Sequence, residues 1–480
     1  MSSVLRPYPA YKDSGVPWLG QIPAHWEMVP NRVLLRHDKK IVGDASSDYT
    51  LLSLTLNGVI PRDLEQLKGK FPADFYQYQV VEPNDLVFCL FDMDETPRTV
   101  GISRYRGMIT GAYTVFHCNQ TEVAEYIYLY YLALDHRKML RPLYKGLRKT
   151  VPTSTFLSIK TPQPPPDEQR AIARFLDAYD RLTRRYIHAQ RRLIALLTEQ
   201  KQALIQQAVT RGLDPDVPLK DSGIEWLGEI PAHWEIVALK HLGSKFGSGL
   251  TPRGGATVYQ SSGIPLIRSQ NVHFDGLHLD DVVFISDDIH ASMSSSHIKP
   301  GDVLVNITGA SIGRVCVVPP SLGEANVNQH VSIIRPENSK ILSKFLATVI
   351  SSPFVQNQIA LRASGAAREG LPSSEMKELA ITLPSIYIQR RILDHVEQMT
   401  SAIHTLVART QRQIELVREY RTRLIADVVT GKLDVRGAAL PDLPVDDADF
   451  DDAADLDDED NFKNALNEEG SIEEVPDDES

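Results

Sequence analysis

The sequence is poor in cysteine and has no long apolar run. Cys89, Cys118 and Cys316 are its only cysteines, and no C-x-x-C pair occurs, which argues against a disulfide framework or a thiolate zinc site and favours a reducing compartment. No apolar stretch approaches the roughly 18 residues of a membrane span. The opening residues MSSVLRPYPAYKDSG contain no apolar segment of the signal-peptide kind. These absences predict a cytoplasmic protein.

Motifs of nucleotide and methyl-donor chemistry are also missing. The Gly-Lys pairs at 69–70 and 431–432 are followed by neither Ser nor Thr, so no phosphate-binding P-loop is predicted. No N-P-P-[FYW] or D-P-P-[FYW] loop of amino-methyltransferases occurs, and DEQ at 167–169 lacks the lysine of a metal-dependent nuclease motif. His25 and His233 recur within a repeated phrase, where we expect structural histidines rather than ligands. The sequence therefore predicts no catalytic, cofactor or metal site.

The formal net charge of −11 divides unevenly along the chain. Residues 441–480 contain 12 Asp, 6 Glu and one Lys, a net charge of −17. The other 440 residues carry 50 basic and 44 acidic side chains, a net charge of +6. Because few of its residues can build a core, we expect 437–480 to be an acidic disordered tail. Two roles stay open for it: a solubilising appendage, or an intramolecular mimic of DNA that competes for the basic body.

All four tryptophans lie in one phrase that occurs twice, WLGQIPAHWE at 18–27 and WLGEIPAHWE at 226–235. Residues 12–29 and 220–237 agree at 14 of 18 positions, at an offset of 208. The offset is 217 between EPNDLVF (82–88) and KPGDVLV (299–305), and 220 from residues 151 and 371 onward. The chain is thus two copies of one plan. Because the phrase is nearly identical in both copies, we interpret it as framework that packs its indoles where each globular region meets the helices.

Each copy combines short β-branched runs, such as DVLVNIT and VSIIRP, with helical segments, and ends in a long stretch without Gly or Pro. This pattern predicts an α+β protein: two mixed α/β domains joined by two long helices that form an antiparallel coiled coil, in a pseudo-two-fold repeat. A parallel helix pair with a long return connection is the alternative. The predicted boundaries are 1–163 and 216–383 for the domains, 164–215 and 384–436 for the helices, and 437–480 for the tail.

Alternating steps of four and three residues select a mostly apolar seam along each long helix. Gln190 and Thr410 take equivalent central positions, where a polar residue could fix the register of the pair. The predicted seam consists of Ile172, Leu176, Tyr179, Thr183, Tyr186, Gln190, Leu193, Leu197, Gln200 and Leu204 in the first helix, and Ile392, Val396, Met399, Ile403, Leu406, Thr410, Gln413, Val417, Tyr420 and Leu424 in the second.

Basic and amide side chains cluster in both globular regions, and such groups bind phosphates and read base edges in the major groove. For any single residue, a solvated surface is the alternative interpretation. The DNA-binding candidates are Arg98, Arg104, Arg106, Arg137, Lys138, Arg141, Lys145, Arg148 and Lys149 in the first region, and Arg253, Arg268, Gln270, Asn271, Arg314, Asn328, Gln329, Arg362 and Arg368 in the second.

A combination of motifs resembles the specificity (S) subunit of type I restriction–modification systems. The motifs are the doubled KDSG-x-x-WLG-x-IPAHWE, PPPDEQRAIARFLD before the first long helix, and NITGASIGR with GEANVNQHV in the second half. The resemblance covers roughly residues 10–435. It implies two target recognition domains, each reading one half of a bipartite DNA site, and a helical spacer that sets the unread gap. YIQ at 387–389 departs from the DEQ of the first copy, and the acidic tail is not part of the usual pattern.

The resemblance also implies a division of labour. This chain would be a non-catalytic subunit that binds double-stranded DNA, two methyltransferase (M) subunits and the restriction (R) subunits. It would need no cofactor itself, because S-adenosylmethionine, ATP and Mg would be bound by those partners. Two functions of other classes stay open. A single-chain methyltransferase or nuclease of a related restriction system is opposed by the missing motifs, and a coiled-coil protein scaffold by the different decoration of the two globular regions.

Overall fold

The chain forms two compact units in the computed structural model, which describes residues 5–62, 75–120, 123–363 and 370–440. The first unit takes the described parts of Met1–Gln190 and Gln411–Asp460, and the second takes those of Arg191–Thr410. Residues 441–480 of the predicted tail lie outside the described residues. The predicted domain boundaries were drawn from sequence motifs, whereas the two units are defined by contacts between residues. The predicted boundaries therefore stay a prediction.

The first unit contains two four-stranded sheets, with strand orders β6-β5-β10-β7 and β4-β11-β8-β9. In these sheets β5 and β10 are parallel and the other neighbours are antiparallel. The strands are β1 (Tyr11–Asp13), β2 (Gln21–Pro23), β3 (Glu27–Pro30), β4 (Leu35–Arg36), β5 (Thr50–Thr55), β6 (Gly58–Pro61), β7 (Gln79–Val81), β8 (Leu86–Phe88), β9 (Val100–Ile102), β10 (Gly107–Ile109), β11 (Thr114–Cys118) and β12 (Lys160–Gln163). The helices are α1 (Asn31–Leu34), α2 (Ala124–His136), α3 (Thr153–Ser158) and the first half of α4 (Pro166–Thr210).

The second unit repeats this topology. Its sheets have the orders β20-β17-β24-β21 and β16-β25-β22-β23, and the one parallel pair described in them is β17 with β24. The strands are β13 (Leu219–Asp221), β14 (Glu229–Pro231), β15 (Glu235–Ala238), β16 (Gly243–Ser248), β17 (Ile264–Ile267), β18 (Val272–His273), β19 (Gly276–Leu277), β20 (Val283–Ile285), β21 (His297–Ile298), β22 (Val303–Asn306), β23 (Val315–Val317), β24 (Ala325–Val327), β25 (Val331–Pro336) and β26 (Ala380–Leu383). The helices are α5 (Asp287–Ser292), α6 (Ser343–Ser351), α7 (Pro353–Ala363), α8 (Ser373–Lys377), the second half of α4 and the first half of α9 (Ile386–Val429). The second half of α9 belongs to the first unit. The mixed composition and the repeated plan confirm the α+β prediction at this level.

Aromatic packing organises the core of the first unit. Helix α2 is buried on most of its faces. Its Tyr126, Tyr130 and Tyr131 are all fully buried. The rings of Phe88 on β8 and Phe156 on α3 lie 4.7 Å apart and meet Tyr131 at 5.3 and 5.1 Å. Offset and edge-to-face contacts of this kind add to the area that the rings bury. The helix is thus fixed against the β4-β11-β8-β9 sheet.

Trp26 joins the repeated phrase to the first turn of α4. Its indole is fully buried, and its Nε1 donates to Oε1 of Glu168 at 2.9 Å. The same buried carboxylate accepts from the Tyr8 hydroxyl at 2.6 Å and lies 2.8 Å from His25 Nε2. A buried carboxylate needs such donors, since an unpaired one would cost several kcal/mol. The framework interpretation of the phrase is confirmed here.

The matching junction of the second unit lacks the carboxylate. Ile388 stands where the first copy has Glu168, and Trp234 Nε1 donates instead to His233 Nε2 at 3.1 Å. Trp234 is fully buried beside Gly212, where a Cβ would lie 3.2 Å from the ring. The φ of +77° at Gly212 ends α4, as a left-handed glycine commonly does. Trp18 also packs against the core of the first unit. By contrast Trp226 is half-exposed, with its ring 5.4 Å from that of Phe354, so the framework interpretation is confirmed for Trp18, Trp26 and Trp234.

The predicted seam of α9 is wrong for part of one of its two alternating series, although Ile392 of that series is buried. Met399 and Leu406 are 44% and 41% exposed, whereas Thr400 and Ile414 are 4% and 6% exposed. Thr400 Oγ1 donates to Val396 O at 2.7 Å. Because the hydroxyl is satisfied inside the helix, the threonine can be buried at little cost. The buried face of α9 therefore includes Thr400, one residue after the predicted Met399.

The halves of the long helices pack together within each unit. In the first unit Ile172 and Leu176 of α4 share a core with Leu424 and Ile425 of α9. In the second unit Ile205 of α4 shares a core with Ile392 of α9. On α4, as on α9, one predicted seam series is exposed near the middle of the helix, since Tyr186 and Leu193 each remain 37% exposed. No helix in the described ranges combines the length and the apolarity that a bilayer crossing requires.

Candidate nucleic-acid interface

Two loops of the second unit are bonded edge to edge. The backbone N–H of Gly249 donates to Val331 O at 3.0 Å, and that of Leu250 donates to Val327 O at 3.2 Å. A Cβ on Gly249 would overlap the Val327 carbonyl, so only glycine permits this approach. The glycine-rich loop 249–255 is thereby held against the turn at 326–330, and Thr251 Oγ1 hydrogen-bonds to the Gln329 side chain.

Two further segments join them. Asn328 N–H donates to Ile267 O at 3.0 Å, at the end of β17. Asn306 Nδ2 donates to Ser269 O at 2.8 Å, which links the 306–314 loop to the turn after β17. Four loops therefore converge at one end of the sheets. The candidates that they carry are Arg253, Arg268, Gln270, Asn271, Arg314, Asn328 and Gln329.

No carboxylate of the described residues offsets the charge of three arginines at this interface. In the part of the chain that the structure describes, Arg253, Arg268 and Arg314 form no ion pair with a carboxylate. Arg253 is exposed. Arg268 donates to Asp281 O at 2.7 Å, and its guanidinium lies 6.0 Å from the Tyr259 ring centre. The surface can thus offer cationic groups to phosphates and planar guanidinium groups to base edges.

Of the four amide candidates two are buried, Gln270 is half-buried and Gln329 is exposed. Asn271 is 2% exposed, and its Oδ1 accepts from Arg268 N–H at 2.9 Å while its Nδ2 donates to His278 O at 2.9 Å. Asn328 is also buried and accepts from His330 N–H at 3.2 Å. These two side chains shape the turns, whereas Gln329 is exposed. Base contacts by any of the four amide candidates stay a prediction.

Two threonines that were not among the DNA-binding candidates belong to the same surface. Thr251 bonds to Gln329, and Thr308 Oγ1 lies 2.6 Å from His330 Nδ1. A hydroxyl beside a glycine-rich turn is the signal that could have found them, since such hydroxyls often contact phosphates. Arg362 lies elsewhere, because it pairs with Glu375 of α8 at 2.7 Å. Arg368 lies outside the described residues.

The basic cluster predicted in the first unit meets an acidic loop at 92–95. Arg141 pairs with Asp94 at 2.6 Å, and this bond holds the pKa of the Asp94 carboxyl below its ordinary value. Lys149 lies 3.3 Å from the same carboxylate. The remaining pairs of the cluster are Arg148 with Asp92, Lys149 with Glu95 and Lys138 with Asp135. Much of the predicted positive charge is therefore offset within the unit.

The other first-unit candidates are dispersed. Arg104 and Arg106 pair with Glu125 and Glu82 at 2.5 and 3.4 Å. Arg98 is half-buried near His136, whose pKa is lowered to about 4 by burial and then by Arg98 and Arg421. Arg137 and Lys145 are exposed, and neither has an ion-pair partner among the described residues. In the described parts, six of the nine first-unit candidates are therefore paired with carboxylates, and Arg98, Arg137 and Lys145 are not.

Comparison with known proteins identifies the family. The model of the type I restriction modification DNA specificity domain matches residues 95–194 and 231–416. The chain is 22% identical over 447 residues to a putative type I restriction enzyme MjaX specificity subunit of Methanocaldococcus jannaschii, covering 87% of this chain and 96% of that protein. It is 26% identical over 303 residues to the EcoBI specificity subunit of Escherichia coli, covering 62% and 63%.

A solved structure shares the fold. It concerns complex assembly and conformational transition of the type I R-M system, and it matches with a TM-score of 0.56 at 14% identity, covering 86% of this chain and 99% of that one. The comparisons thus define a class, the specificity chains of restriction–modification systems. This chain belongs to the type I restriction–modification DNA specificity family. The resemblance seen in the motifs is confirmed, and DNA sequence specificity is its function.

Proposed function

We propose that each α+β unit reads one half of a bipartite, asymmetric DNA target, and that the chain itself catalyses nothing. The observation that carries this proposal is the convergence of four loops of the second unit, with Arg253, Arg268 and Arg314 free of carboxylate partners among the described residues. Arg and Gln side chains suit both phosphates and the edges of G and A in the major groove. The repeated frame with differently decorated loops suits two unlike half-sites.

The long helices are the proposed spacer. They are 45 and 44 residues long, or roughly 65 Å each at 1.5 Å per residue. The first half of α4 packs on the second half of α9, where Asp180 and Arg421 form an ion pair. Contacts of this kind favour an antiparallel coiled coil over a parallel one. A spacer of fixed length would set the unread gap between the half-sites.

The partners would dock on the same helices. We infer two methyltransferase subunits, with restriction subunits completing the complex, and S-adenosylmethionine, ATP and Mg bound by those partners. Apolar side chains that remain exposed along the helices support such docking, since patches of this kind mark protein interfaces. They are Leu182, Tyr186, Leu193 and Leu196 on α4, and Tyr387, Met399, Leu406, Leu416 and Tyr420 on α9.

Methyl transfer tests the division of labour. The purified chain should bind a duplex that contains its target but transfer no methyl group from S-adenosylmethionine until the methyltransferase subunit is added. Radiolabelled methyl incorporation into DNA measures this. Transfer by this chain alone would replace the proposal with the single-chain enzyme. If the chain bound no DNA, either alone or with the methyltransferase subunit, the coiled-coil protein scaffold would be the remaining interpretation.

Removing two arginines should flatten the salt dependence of binding. We expect Arg253→Ala with Arg314→Ala to reduce the slope of log affinity against log salt by about 0.9 for each DNA phosphate that is no longer neutralised. Fluorescence anisotropy of a labelled duplex, at several salt concentrations, measures the slope. Arg362→Ala is the matched control, because that side chain already pairs with Glu375. A double variant with the slope of the unmodified chain would place the interface elsewhere.

A further inference from the structure

A tight hairpin in the second unit brings two histidines together. Strands β18 and β19 pair His273 with Gly276 across a two-residue turn. Val272 faces the core and is fully buried, so alternate residues point away from it. Since Gly276 has no side chain, the rings of His273 and His278 stack above it at a centre distance of 4.0 Å and an angle of 16°.

The turn adds a carboxylate to the pair. Asp275 Oδ1 lies 3.1 Å from His278 Nε2. One ligand atom from each of His273, Asp275 and His278 lies within 4.8 Å of the other two. Zinc binds His nitrogen and Asp oxygen at about 2.0–2.2 Å, so small side-chain rotations would bring the three atoms onto one ion. No other such group of three occurs among the described residues.

Surrounding groups prepare the histidines as ligands. His273 Nε2 lies 2.8 Å from Gln270 O. Because a carbonyl only accepts, the proton of the neutral ring sits on Nε2 and the Nδ1 lone pair is free. Asn271 holds the main chain of His278 with two hydrogen bonds of 2.9 Å. The backbone carbonyl of Asn271 accepts from His278 N–H, and its side-chain Nδ2 donates to His278 O. A carbonyl on the second ring nitrogen, as at His273, is the kind of partner that orients a metal-bound histidine, and the Asn271 bonds fix the backbone of His278.

We propose that His273, Asp275 and His278 bind a zinc-type divalent transition metal ion and leave at least one coordination position open. Two imidazoles and one carboxylate favour such ions over Mg²⁺ or Ca²⁺, which take oxygen ligands. The sequence predicted no metal site, because H-x-D-x-x-H is not a helical metal spacing and becomes a site only when the hairpin folds. The ion fastens the turn that carries Arg268 and Gln270, since His273 bonds to Gln270.

Zinc titration of the purified full chain, stripped of metal by a chelator, tests the site. We expect one Zn²⁺ per chain in competition with a chromophoric chelator. Affinity should fall at least about 100-fold in His278→Ala and by about 10–100-fold in Asp275→Asn. Asp275 is exposed at the tip of the turn, so this substitution leaves the fold intact even where a histidine variant does not.

A second stacked pair supplies the control. His290 and His297 lie 3.9 Å apart at 6°, with the Glu324 carboxylate 4.0 Å from His290. His297→Asn should leave the zinc affinity unchanged. Hydrogen exchange at 272–278 should slow by about 100-fold at a zinc concentration 100 times the Kd. No zinc bound, equal loss in His297→Asn, or no change in Asp275→Asn would overturn the site whether or not the chain binds DNA.

Discussion

Deleting residues 187–193 and 408–414 is expected to bring the two methylated half-sites closer by up to about three base pairs. Seven residues in each helix are about 10 Å of length, and DNA rises about 3.4 Å per base pair. Seven is also two turns of a coiled coil, so the buried faces keep their phase. Each half-site should keep its sequence, because neither set of recognition loops is touched.

Loss of the original target should accompany the new spacing. With the gap wrong, only one half-site can be read at a time, and affinity for the original target should fall by at least about 100-fold, since specific binding commonly exceeds non-specific binding by about 10³ or more. Sequencing of methylated adenines, in cells that also supply the methyltransferase subunit, measures both effects. A chain with the same segments replaced by unrelated helical residues of equal length is the control and should keep the gap. A folded deletion variant that methylates with the original gap would refute the spacer.

Replacing Glu168 by Ala should destabilise the first unit by about 3–5 kcal/mol, because buried donors would lose their acceptor. Trp26 Nε1 and the Tyr8 hydroxyl both donate to this carboxylate. Such a loss corresponds to a melting temperature lower by roughly 10 °C for a unit of this size. Thermal unfolding followed by tryptophan fluorescence measures it, since Trp26 is itself the affected group.

Two matched variants separate hydrogen bonding from charge and from position in the helix. Asp167→Asn changes the neighbouring carboxylate, which is 94% exposed, and should leave the melting temperature unchanged. Glu168→Gln keeps one acceptor oxygen and should fall between the two. If Glu168→Ala has the same melting temperature as the unmodified chain, the contacts of Glu168 with Tyr8, His25 and Trp26 contribute nothing to stability. The junction would then be held by apolar packing alone.

Periodicity and repetition predicted much of the fold, and hydrogen bonding explains where they failed. The repeat offsets anticipated two units of one topology, and β22 and β25 lie within the runs DVLVNIT and VSIIRP. The seam failed because a pattern of hydropathy selects Met399 over Thr400. Thr410, which the pattern did select, is buried by the same means as Thr400, since its Oγ1 donates to Leu406 O at 2.8 Å.

Distance along the chain limited the prediction of the interface. In the second unit the NITGASIGR and GEANVNQHV segments, which are close in sequence, also lie together in the fold, where Ile307 N–H donates to His330 O at 3.0 Å. In the first unit the partners of Arg141 and Arg148 are 47 and 56 residues away. Composition counts such arginines as free charge, and only the tertiary fold shows that Asp94 and Asp92 meet them.

The end of α9 returns to the beginning of the chain. Arg6 and Asp434 form an isolated antiparallel bridge, with Asp434 N–H donating to Arg6 O at 2.8 Å. Tyr11 is beside this bridge, and its hydroxyl donates to Lys432 O at 3.4 Å. Residues 6–11 and 432–434 therefore lie side by side, so a short link between them would let the order of the two copies along the chain be exchanged. Joining the segments around Arg6 and Asp434 and opening the chain after α4 would give a circular permutant with the second copy first and the packing of the first unit retained.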